Sequence, residues 1–312
     1  MKINDIIFKK LVKRGYSIKG DNKSWDVSDS KLWYLTPELS KGFLNLKKYL
    51  PYRIKVFDTE FTLIEKNAEK FREVCDADAF NLIDLGCGDG TKAEAFIKIL
   101  SKNSKIRYCP VDVSQYFIDQ AIARVKDLNY ENVAGIKPFL TDFKDLDDII
   151  GIVRNSEYRR NVILLLGETI STYEVNDLLY HLSDPLWKDD VLIVGNGYKV
   201  GDRFVELGKY RDSLFNDWFI HIVKGLGFND NEVKIDARFA NGRLEWFYTL
   251  EVDKTIFHMD KTVNFKKGDE IVVAIQYKFY ENEWREFYEL YFADVELLKD
   301  EDKEYAIAIC KK

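Results

Sequence analysis

Three glycines within five residues, Gly86, Gly88 and Gly90, follow a short apolar segment and precede a segment with helical periodicity. An apolar strand, a tight glycine turn and the start of a helix together form a common nucleotide-binding arrangement. Glycine has no Cβ, so a ligand can approach the backbone of such a turn closely. Thr91 and Glu94 have the spacing of a capping box, which predicts that the helix begins at the turn.

The residues around the turn distinguish between kinds of nucleotide. The dinucleotide fingerprint G-x-G-x-x-G is not met, because the third glycine comes one residue early. Asp84 lies two residues before the first glycine, where a carboxylate would repel a pyrophosphate but suits a cation. The pattern D-x-G-x-G-x-G resembles motif I of class I S-adenosylmethionine-dependent methyltransferases. This resemblance implies S-adenosyl-L-methionine, which carries a sulfonium and an α-ammonium group, as the cofactor; a glycine turn without a ligand is the alternative.

Composition limits the classes of partner. The 312 residues carry a net charge of -6, with 47 basic and 53 acidic residues spread along the chain, so we expect no nucleic-acid partner. Four cysteines without C-x-x-C spacing predict reduced thiols in a cytoplasmic protein, and three scattered histidines predict no metal site. The apolar segments are too short to span a bilayer, so we expect no membrane partner. The first 15 residues predict a packing helix rather than a targeting sequence.

From residue 81 onward, apolar strands alternate with amphipathic helices, which predicts a parallel sheet with crossover helices. The predicted strands are residues 82–85, 106–111, 134–140, 162–166 and 191–194. After Gly195 the pattern changes to an aromatic-rich helix and to antiparallel strands at 232–239, 243–252 and 270–279. A helix and a strand pair at 294–298 and 305–310 follow. Class I methyltransferases end in such a hairpin, so the expected fold is an α/β, Rossmann-like sheet with an antiparallel last strand and an additional α+β lobe.

In an open α/β sheet, ligands bind beyond the carboxyl ends of the strands. The predicted second strand ends at Asp112, 22 residues after Gly90, and this spacing suits a carboxylate that accepts both ribose hydroxyls. Asp142 and Phe143 follow the third strand, where the acid can accept from an adenine amino group and the ring can pack on adenine. Each residue alone could equally be a loop carboxylate or a helix cap, but their shared position at strand ends favours a cofactor site.

A narrower resemblance rests on Y-C-P-V-D-V-S at 108–114, T-D-F at 141–143, L-L-G-E-T-I at 165–170 and a gap-free match over 38–53. These segments resemble the histidine-specific Nα-methyltransferase family of ergothioneine biosynthesis. The resemblance implies that the cofactor is bound by Gly86, Lys92, Asp112, Asp142 and Phe143, and that Gly167, Thr169, Tyr34 and Tyr210 face an amino-acid substrate. It also implies a cofactor core at 76–195 and 283–312 and a substrate lobe at 1–75 and 196–282.

The departures from the family fall in the implied substrate pocket. Tyr49 matches the first tyrosine of the family's Y-Y-P-T-R segment, but the second, gating tyrosine is Leu50 here. The carboxylate-binding asparagine after G-S-T-I-G is Thr172. The imidazole-recognising E-x-S is replaced by Ala274 and Gln276 with one residue between them. Losing a charged hydrogen bond costs about 1.5–3 kcal/mol, so we expect that histidine is not the substrate; a misalignment by two residues is the alternative.

The sequence thus favours an S-adenosylmethionine-dependent N-methyltransferase of an amino acid or related small amine. A non-catalytic S-adenosylmethionine-binding regulatory protein is the first alternative, because the acceptor pocket is altered. A methyltransferase of a protein or nucleic acid is the second, but the chain lacks a basic stripe and an N-P-P-Y-like loop. The residue types assign no general base: Glu168 could stand beside the transferred methyl group or hold the following helix. The oligomeric state is not indicated.

Overall fold

A computed structural model describes residues 3–50, 53–199, 207–240, 242–302 and 304–312. The chain divides into two compact units. Unit 1 comprises Met1–Tyr49 and Gly201–Lys278, and unit 2 comprises Leu50–Val200 and Phe279–Lys312. Across the described residues, no helix combines the length and apolarity needed to cross a bilayer.

Unit 1 combines helices with a five-stranded sheet and a separate hairpin. The elements are α1 (Ile3–Arg14), β1 (Tyr16–Lys19), β2 (Asn22–Asp26), α2 (Pro37–Lys48), α9 (Ser213–Gly225), β9 (Val233–Ala240), β10 (Arg243–Leu250), β11 (Lys254–His258), β12 (Lys261–Phe265) and β13 (Glu270–Tyr277). The sheet has the order β1-β2-β13-β10-β9, and the hairpin is β11-β12. Strand β2 is parallel to β13, and the other neighbours are antiparallel. Helix α9 packs against α1, α2 and β13.

Unit 2 is built on an eight-stranded sheet flanked by helices. Its strands are β3 (Ala79–Leu85), β4 (Lys105–Asp112), β5 (Val133–Ile136), β6 (Phe139–Leu140), β7 (Arg160–Leu165), β8 (Val191–Gly197), β14 (Asp294–Lys299) and β15 (Tyr305–Lys311). Its helices are α3 (Thr59–Lys66), α4 (Ala68–Val74), α5 (Thr91–Leu100), α6 (Gln115–Asp127), α7 (Leu146–Val153), α8 (Val175–Ser183) and α10 (Glu281–Glu289).

The strand order of unit 2 is β14-β15-β8-β7-β3-β4-β5, and β6 also pairs with β4. Strands β3 to β8 run parallel, whereas β15 is antiparallel to both β8 and β14. Strands β7 and β8 are buried along nearly their whole length, as continuous apolar strands of a covered parallel sheet should be. The sequence-based prediction of a class I methyltransferase sheet with an antiparallel last strand is confirmed.

Residues 50–75 lie in unit 2, whereas the sequence-based boundary placed them in the substrate lobe. The physical reason is packing: α3 contacts β15 and α5, and α4 contacts α5. The rings of Phe71 and Phe96 lie 4.9 Å apart between α4 and α5. The insert boundary also differs, because residues up to Val200 and from Phe279 belong to unit 2.

Some elements differ from those predicted. The spacing of Phe61, Ile64, Ala68 and Phe71 predicts a single helix over residues 58–74. In the structure this segment is broken at Asn67, which ends one helix and precedes the next. The predicted strand at 134–140 is divided into β5 and β6 around Pro138, which has no N–H to donate to a ladder. Helix α7 and the hairpins β1-β2 and β11-β12 are not predicted from the sequence.

Candidate active site

The glycine turn follows β3 directly and adopts a backbone that favours glycine. Gly86, Gly88 and Gly90 have φ angles of 69°, 50° and 73°, in the left-handed region that side chains with a Cβ rarely occupy. The N–H groups of Gly86 and Cys87 donate to the carbonyl of Val111 at 2.8 and 3.2 Å. The turn is thereby fixed to the carboxyl end of β4.

The three glycines have different surroundings. A Cβ on Gly90 would lie 2.7 Å from the backbone Cα of Ala121, and one on Gly86 would lie 3.1 Å from the ring of Phe143. No described atom lies within 4 Å of the corresponding position on Gly88. Gly86 and Gly90 therefore permit close packing inside the protein, and Gly88 leaves open space at which a ligand can approach the backbone.

The helix after the turn begins differently from the prediction. Gly90 occupies the N-cap position of α5 and provides no side-chain bond. Thr91 is the first helical residue, and its hydroxyl donates to Oδ1 of Asp89 at 2.6 Å. Glu94 pairs with Lys98 and Arg124 instead of reaching back to the turn. The predicted capping box is wrong because the left-handed glycine extends the helix by one residue.

Asp84 is buried near the carboxyl end of β3, and the hydroxyl of Tyr108 donates to its Oδ2 at 2.8 Å. Burial raises the pKa of Asp84 to about 7, although the Tyr108 hydrogen bond and the charge of Lys92 act in the opposite direction. A buried carboxyl of this kind gains most from a cationic partner, because pairing offsets its loss of hydration.

Asp112 ends β4 and is held against the glycine turn. Its Oδ2 accepts from the N–H of Gly88 at 3.3 Å, and its Oδ1 accepts from the N–H of Ser114 at 2.9 Å. Burial raises the pKa of Asp112 to about 6, and the backbone hydrogen bonds oppose that shift. The carboxyl group therefore has a fixed orientation beside Gly88.

Phe143 lies next to Gly86 of the turn, and its ring is 5.7 Å from the ring of Tyr173. Asp142 precedes it and accepts from the N–H of Lys144 at 3.2 Å. The structure thus brings Asp112 and Phe143, predicted from separate strand ends, to one glycine turn. This arrangement supports the predicted cofactor site.

A second polar group lies at the carboxyl ends of β7 and β8. Glu60 is fully buried and contacts the ammonium of Lys92. Its Oε1 also accepts from the N–H of Gly167 at 3.0 Å and from the hydroxyl of Tyr305 at 2.7 Å. Glu60 was not among the residues predicted from the sequence.

The sequence feature that could have pointed to this second group is a pair of glycines in β8. A Cβ on Gly195 would overlap the carboxylate of Glu60, and a Cβ on Gly197 would overlap the carboxylate of Glu168. Glycines two residues apart point to the same face of a strand and indicate a close approach from that side. Glu168 itself is buried and has a φ of 61°.

The remaining substrate candidates of unit 2 are placed as follows. Gly167 has a φ of 78°, next to the Lys92 ammonium. The hydroxyl of Thr169 donates to the carbonyl of Leu166 and that of Thr172 to the carbonyl of Thr169, both at 2.8 Å. Leu50, at the predicted gating position, is 54% exposed.

Tyr34 and Tyr210 belong to one aromatic cluster of unit 1. Tyr34 lies 5.8 Å from Trp218, and Tyr210 lies 5.6 Å from Trp246, measured between ring centroids. Phe219 joins the two tryptophans at 4.5 and 5.9 Å. The tryptophans and Phe219 are buried, whereas both tyrosines are half-buried. Both tyrosines are therefore accessible to a ligand.

The other candidates of unit 1 lie at the end of α2 and on β13. Tyr49 ends α2, and its hydrogen bond to Asp212 raises the pKa of the phenol. Ala274 is fully buried in β13 and pairs with Trp246 of β10. Gln276 is half-buried two residues further along the same strand.

Comparison with known proteins decides the family. The model of the S-adenosylmethionine-dependent histidine-specific methyltransferases matches residues 41–312. The chain belongs to this family. It is therefore an S-adenosylmethionine-dependent methyltransferase, as the sequence-based resemblance predicted. A search of curated proteins finds no match to the chain.

Solved structures similar to this methyltransferase have low sequence identity. An S-adenosylmethionine-dependent methyltransferase from Clostridium acetobutylicum ATCC 824 is 14% identical, with 87% of this chain and 98% of that chain covered and a TM-score of 0.46. The PH0226 protein from Pyrococcus horikoshii OT3 is 12% identical, with coverages of 82% and 91% and a TM-score of 0.44. The Burkholderia thailandensis 1,6-didemethyltoxoflavin-N1-methyltransferase is 9% identical, with coverages of 95% and 97% and a TM-score of 0.41.

The site of this histidine-specific methyltransferase family member has chemistry that fits its cofactor. Gly88 offers open backbone, Asp84 a buried carboxyl for a cation, and Asp112 an oriented carboxyl for hydroxyl groups. When bound, S-adenosylmethionine supplies a methyl group already activated by its sulfonium. In the described ranges, no group of three or more His, Cys, Asp or Glu side chains is arranged to hold a metal ion.

Proposed function

We propose that this methyltransferase transfers a methyl group to the nitrogen of an amino acid or related small amine other than histidine. Asp84, Gly86, Gly88, Gly90, Lys92, Asp112, Asp142 and Phe143 would hold the cofactor. Tyr34, Tyr49, Tyr210, Gly167, Thr169 and Thr172 would face the acceptor. Of these residues, Tyr34, Tyr49 and Tyr210 belong to unit 1, and the others belong to unit 2.

The observation that carries the exclusion of histidine is the burial of Ala274. By the family resemblance, this residue takes the place of the imidazole-recognising carboxylate, and its side chain is 0% exposed on β13. Its direct neighbour across the sheet is Trp246, which belongs to the aromatic cluster. An apolar methyl group at this place offers no charge and no hydrogen-bond acceptor to an imidazole N–H.

A nearby carboxylate does not compensate for Ala274. Glu245 is buried next to Trp246 on β10, but successive side chains of a strand point to opposite faces of the sheet. Glu245 therefore lies on the face opposite to Trp246. Its two oxygens are also engaged, because Arg238 and Arg243 donate to them at 2.8 and 2.9 Å. The two arginines therefore balance the charge of the Glu245 carboxylate on its own face of the sheet.

The contribution of the protein to methyl transfer is alignment and exclusion of water, because the donor is already activated. An amine acceptor must present a lone pair, so its ammonium form must first lose a proton. The half-buried tyrosines Tyr34 and Tyr210 can orient an amine through their hydroxyl groups and hold a methylated cation on their ring faces.

The proposal is tested by incubating the enzyme with S-adenosylmethionine and a panel of amino acids and small amines. Products are identified by mass spectrometry, and the methylated atom is located by NMR. We expect an N-methylated small amine from the wild type and little or none from Asp84→Asn, which removes the buried negative charge at nearly constant size. Methylated histidine as the main product, or methylation confined to a protein fraction, would contradict the proposal.

A further inference from the structure

Glu60 connects parts of unit 2 that are distant in sequence. It lies on α3, which precedes the first strand of the unit 2 sheet in sequence, and its side chain is 0% exposed. It contacts Lys92 on α5, the backbone N–H of Gly167 after β7, and the hydroxyl of Tyr305 on β15. A buried carboxylate is costly unless it is paired and hydrogen-bonded, and Glu60 meets both conditions.

The contacts of Glu60 fix the position of the Lys92 ammonium. Lys92 is the second residue of α5, directly after the glycine turn, and its side chain is 14% exposed. The ammonium lies 4.8 Å from the centroid of the Phe57 ring. It also lies 2.6 Å from the position that a Cβ on Gly167 would take. A lysine side chain, which is flexible in solution, is thus enclosed by Glu60, Phe57 and Gly167.

The absence of a side chain at Gly195 shows that the Glu60 carboxylate has a defined place. Any Cβ there would overlap Oε1 of Glu60 and approach the Tyr305 hydroxyl to 2.9 Å. The strand thus leaves the space that the carboxylate occupies beside Lys92. One oxygen accepts from Gly167 and Tyr305, and the other is directed to the ammonium.

We propose that Glu60 is a positioning residue that holds the Lys92 ammonium for the carboxylate of S-adenosylmethionine. Lys92 is the single cation among the proposed cofactor residues, and the carboxylate is the anionic group of this cofactor. An ammonium has three N–H donors, so contact with Glu60 leaves donors for a second carboxylate. The inference rests on the proposed cofactor role of Lys92, and it does not depend on which amine is the acceptor.

Calorimetric titration of Glu60→Gln with two ligands tests this inference. S-adenosylhomocysteine carries the amino-acid carboxylate, and 5′-methylthioadenosine lacks it. Glutamine keeps an acceptor for Gly167 and Tyr305 but turns an amide toward Lys92, so the ammonium loses its partner. We expect roughly tenfold weaker binding of S-adenosylhomocysteine, typical of one charged hydrogen bond, and unchanged binding of 5′-methylthioadenosine.

A double-mutant cycle with Lys92→Met separates positioning from general damage. If Glu60 acts through Lys92, Glu60→Gln/Lys92→Met binds S-adenosylhomocysteine about as weakly as Lys92→Met alone, because contacting residues are not additive. Tyr305→Phe is the matched control: it removes another hydrogen bond from Glu60 but leaves the contact with Lys92, so it should lower the melting temperature while keeping ligand affinity.

Three results would overturn the inference. The first is unchanged affinity of Glu60→Gln or of Lys92→Met for S-adenosylhomocysteine. The second is an equal loss for both ligands, which would indicate a damaged glycine turn. The third is a double variant whose loss equals the product of the two single losses. Since neither ligand is a methyl acceptor, failure of the proposed amine substrate would leave all three measurements interpretable.

Discussion

Asp84 and Asp112 are buried carboxyl groups whose pKa values are raised to about 7 and about 6. In the free protein, each folded-state pKa lies above its ordinary value of 3.8. Between the ordinary pKa and the folded-state pKa of each group, the folded state therefore binds more protons than the unfolded state. Stability contributed by these groups is present at low pH and is lost as the pH rises through the folded pKa.

Cofactor binding should depend on pH in the opposite sense. Asp84 must be ionised to complement a cationic group, so we expect the affinity for S-adenosylmethionine to rise from about pH 6 to about pH 8. Binding should release a proton, because the cation lowers the pKa of Asp84. Calorimetry in buffers of different ionisation enthalpy measures both effects.

Tyr108→Phe provides the control for this pH dependence. The Tyr108 hydrogen bond lowers the pKa of Asp84, so its removal should move the midpoint of the affinity profile to higher pH. A profile that is flat between these pH values in the wild type, or one that Tyr108→Phe leaves in place, would contradict the assignment of Asp84 to the cation.

At the level of single residues, the sequence predicted those that stand at strand ends and missed one that does not. Asp112 and Phe143 could be located because the carboxyl ends of parallel strands meet at one edge of a sheet. Glu60 could not, because its helix has an ordinary amphipathic pattern and its partners come from three other elements. Only the spacing of Gly195 and Gly197 could have indicated that other side chains approach β8 closely.

At the level of elements, the carboxyl end of β8 depends on those two glycines. Gly195→Ala places a methyl group where the Glu60 carboxylate lies. We expect it to lower the free energy of unfolding by about 1–3 kcal/mol, the usual cost of overpacking. Because Glu60 must move, the affinity for S-adenosylhomocysteine should fall as well. Denaturant unfolding and calorimetry measure the two effects.

Gly151→Ala is the matched substitution without a clash. Gly151 is an exposed residue within α7, and a Cβ there meets no atom within 4 Å. Alanine should stabilise this helix by about 0.5–1 kcal/mol and leave cofactor affinity unchanged. A Gly195→Ala variant as stable as the wild type would show that the Glu60 carboxylate can occupy another place.

Elements with a strong burial pattern were predictable, and exposed ones were not. Strands β7 and β8 of unit 2 contain continuous apolar segments, as expected where helices cover both faces of a parallel sheet. Strand β1 is exposed at every position, and β11 alternates only between half-buried and exposed residues. Their hairpins therefore lacked the apolar alternation that marks a strand. Helix α7 is short, with four buried apolar residues in its eight, which left its pattern ambiguous.

At the level of the whole molecule, the proposed site residues are distributed over the two units. The proposed cofactor residues lie in unit 2, and Tyr34, Tyr210 and Ala274 lie in unit 1. The sequence predicted a separate substrate lobe from the break in strand–helix alternation at Gly195, and this assignment of roles stays a prediction. It misplaced residues 50–75, because an N-terminal helical segment carries no signal of the sheet on which it packs. Glu60 lies in this segment and therefore belongs to unit 2, as the proposed cofactor residues do.

This family member is proposed to methylate a small amine, and its altered pocket is proposed to exclude histidine. The most direct measurement is the ratio of kcat/KM for the best amine of the panel to that for histidine, under identical conditions. The loss of a charged hydrogen bond at Ala274 predicts a ratio of at least about ten in favour of the amine. A kcat/KM for histidine equal to or above that of every other amine would contradict the account.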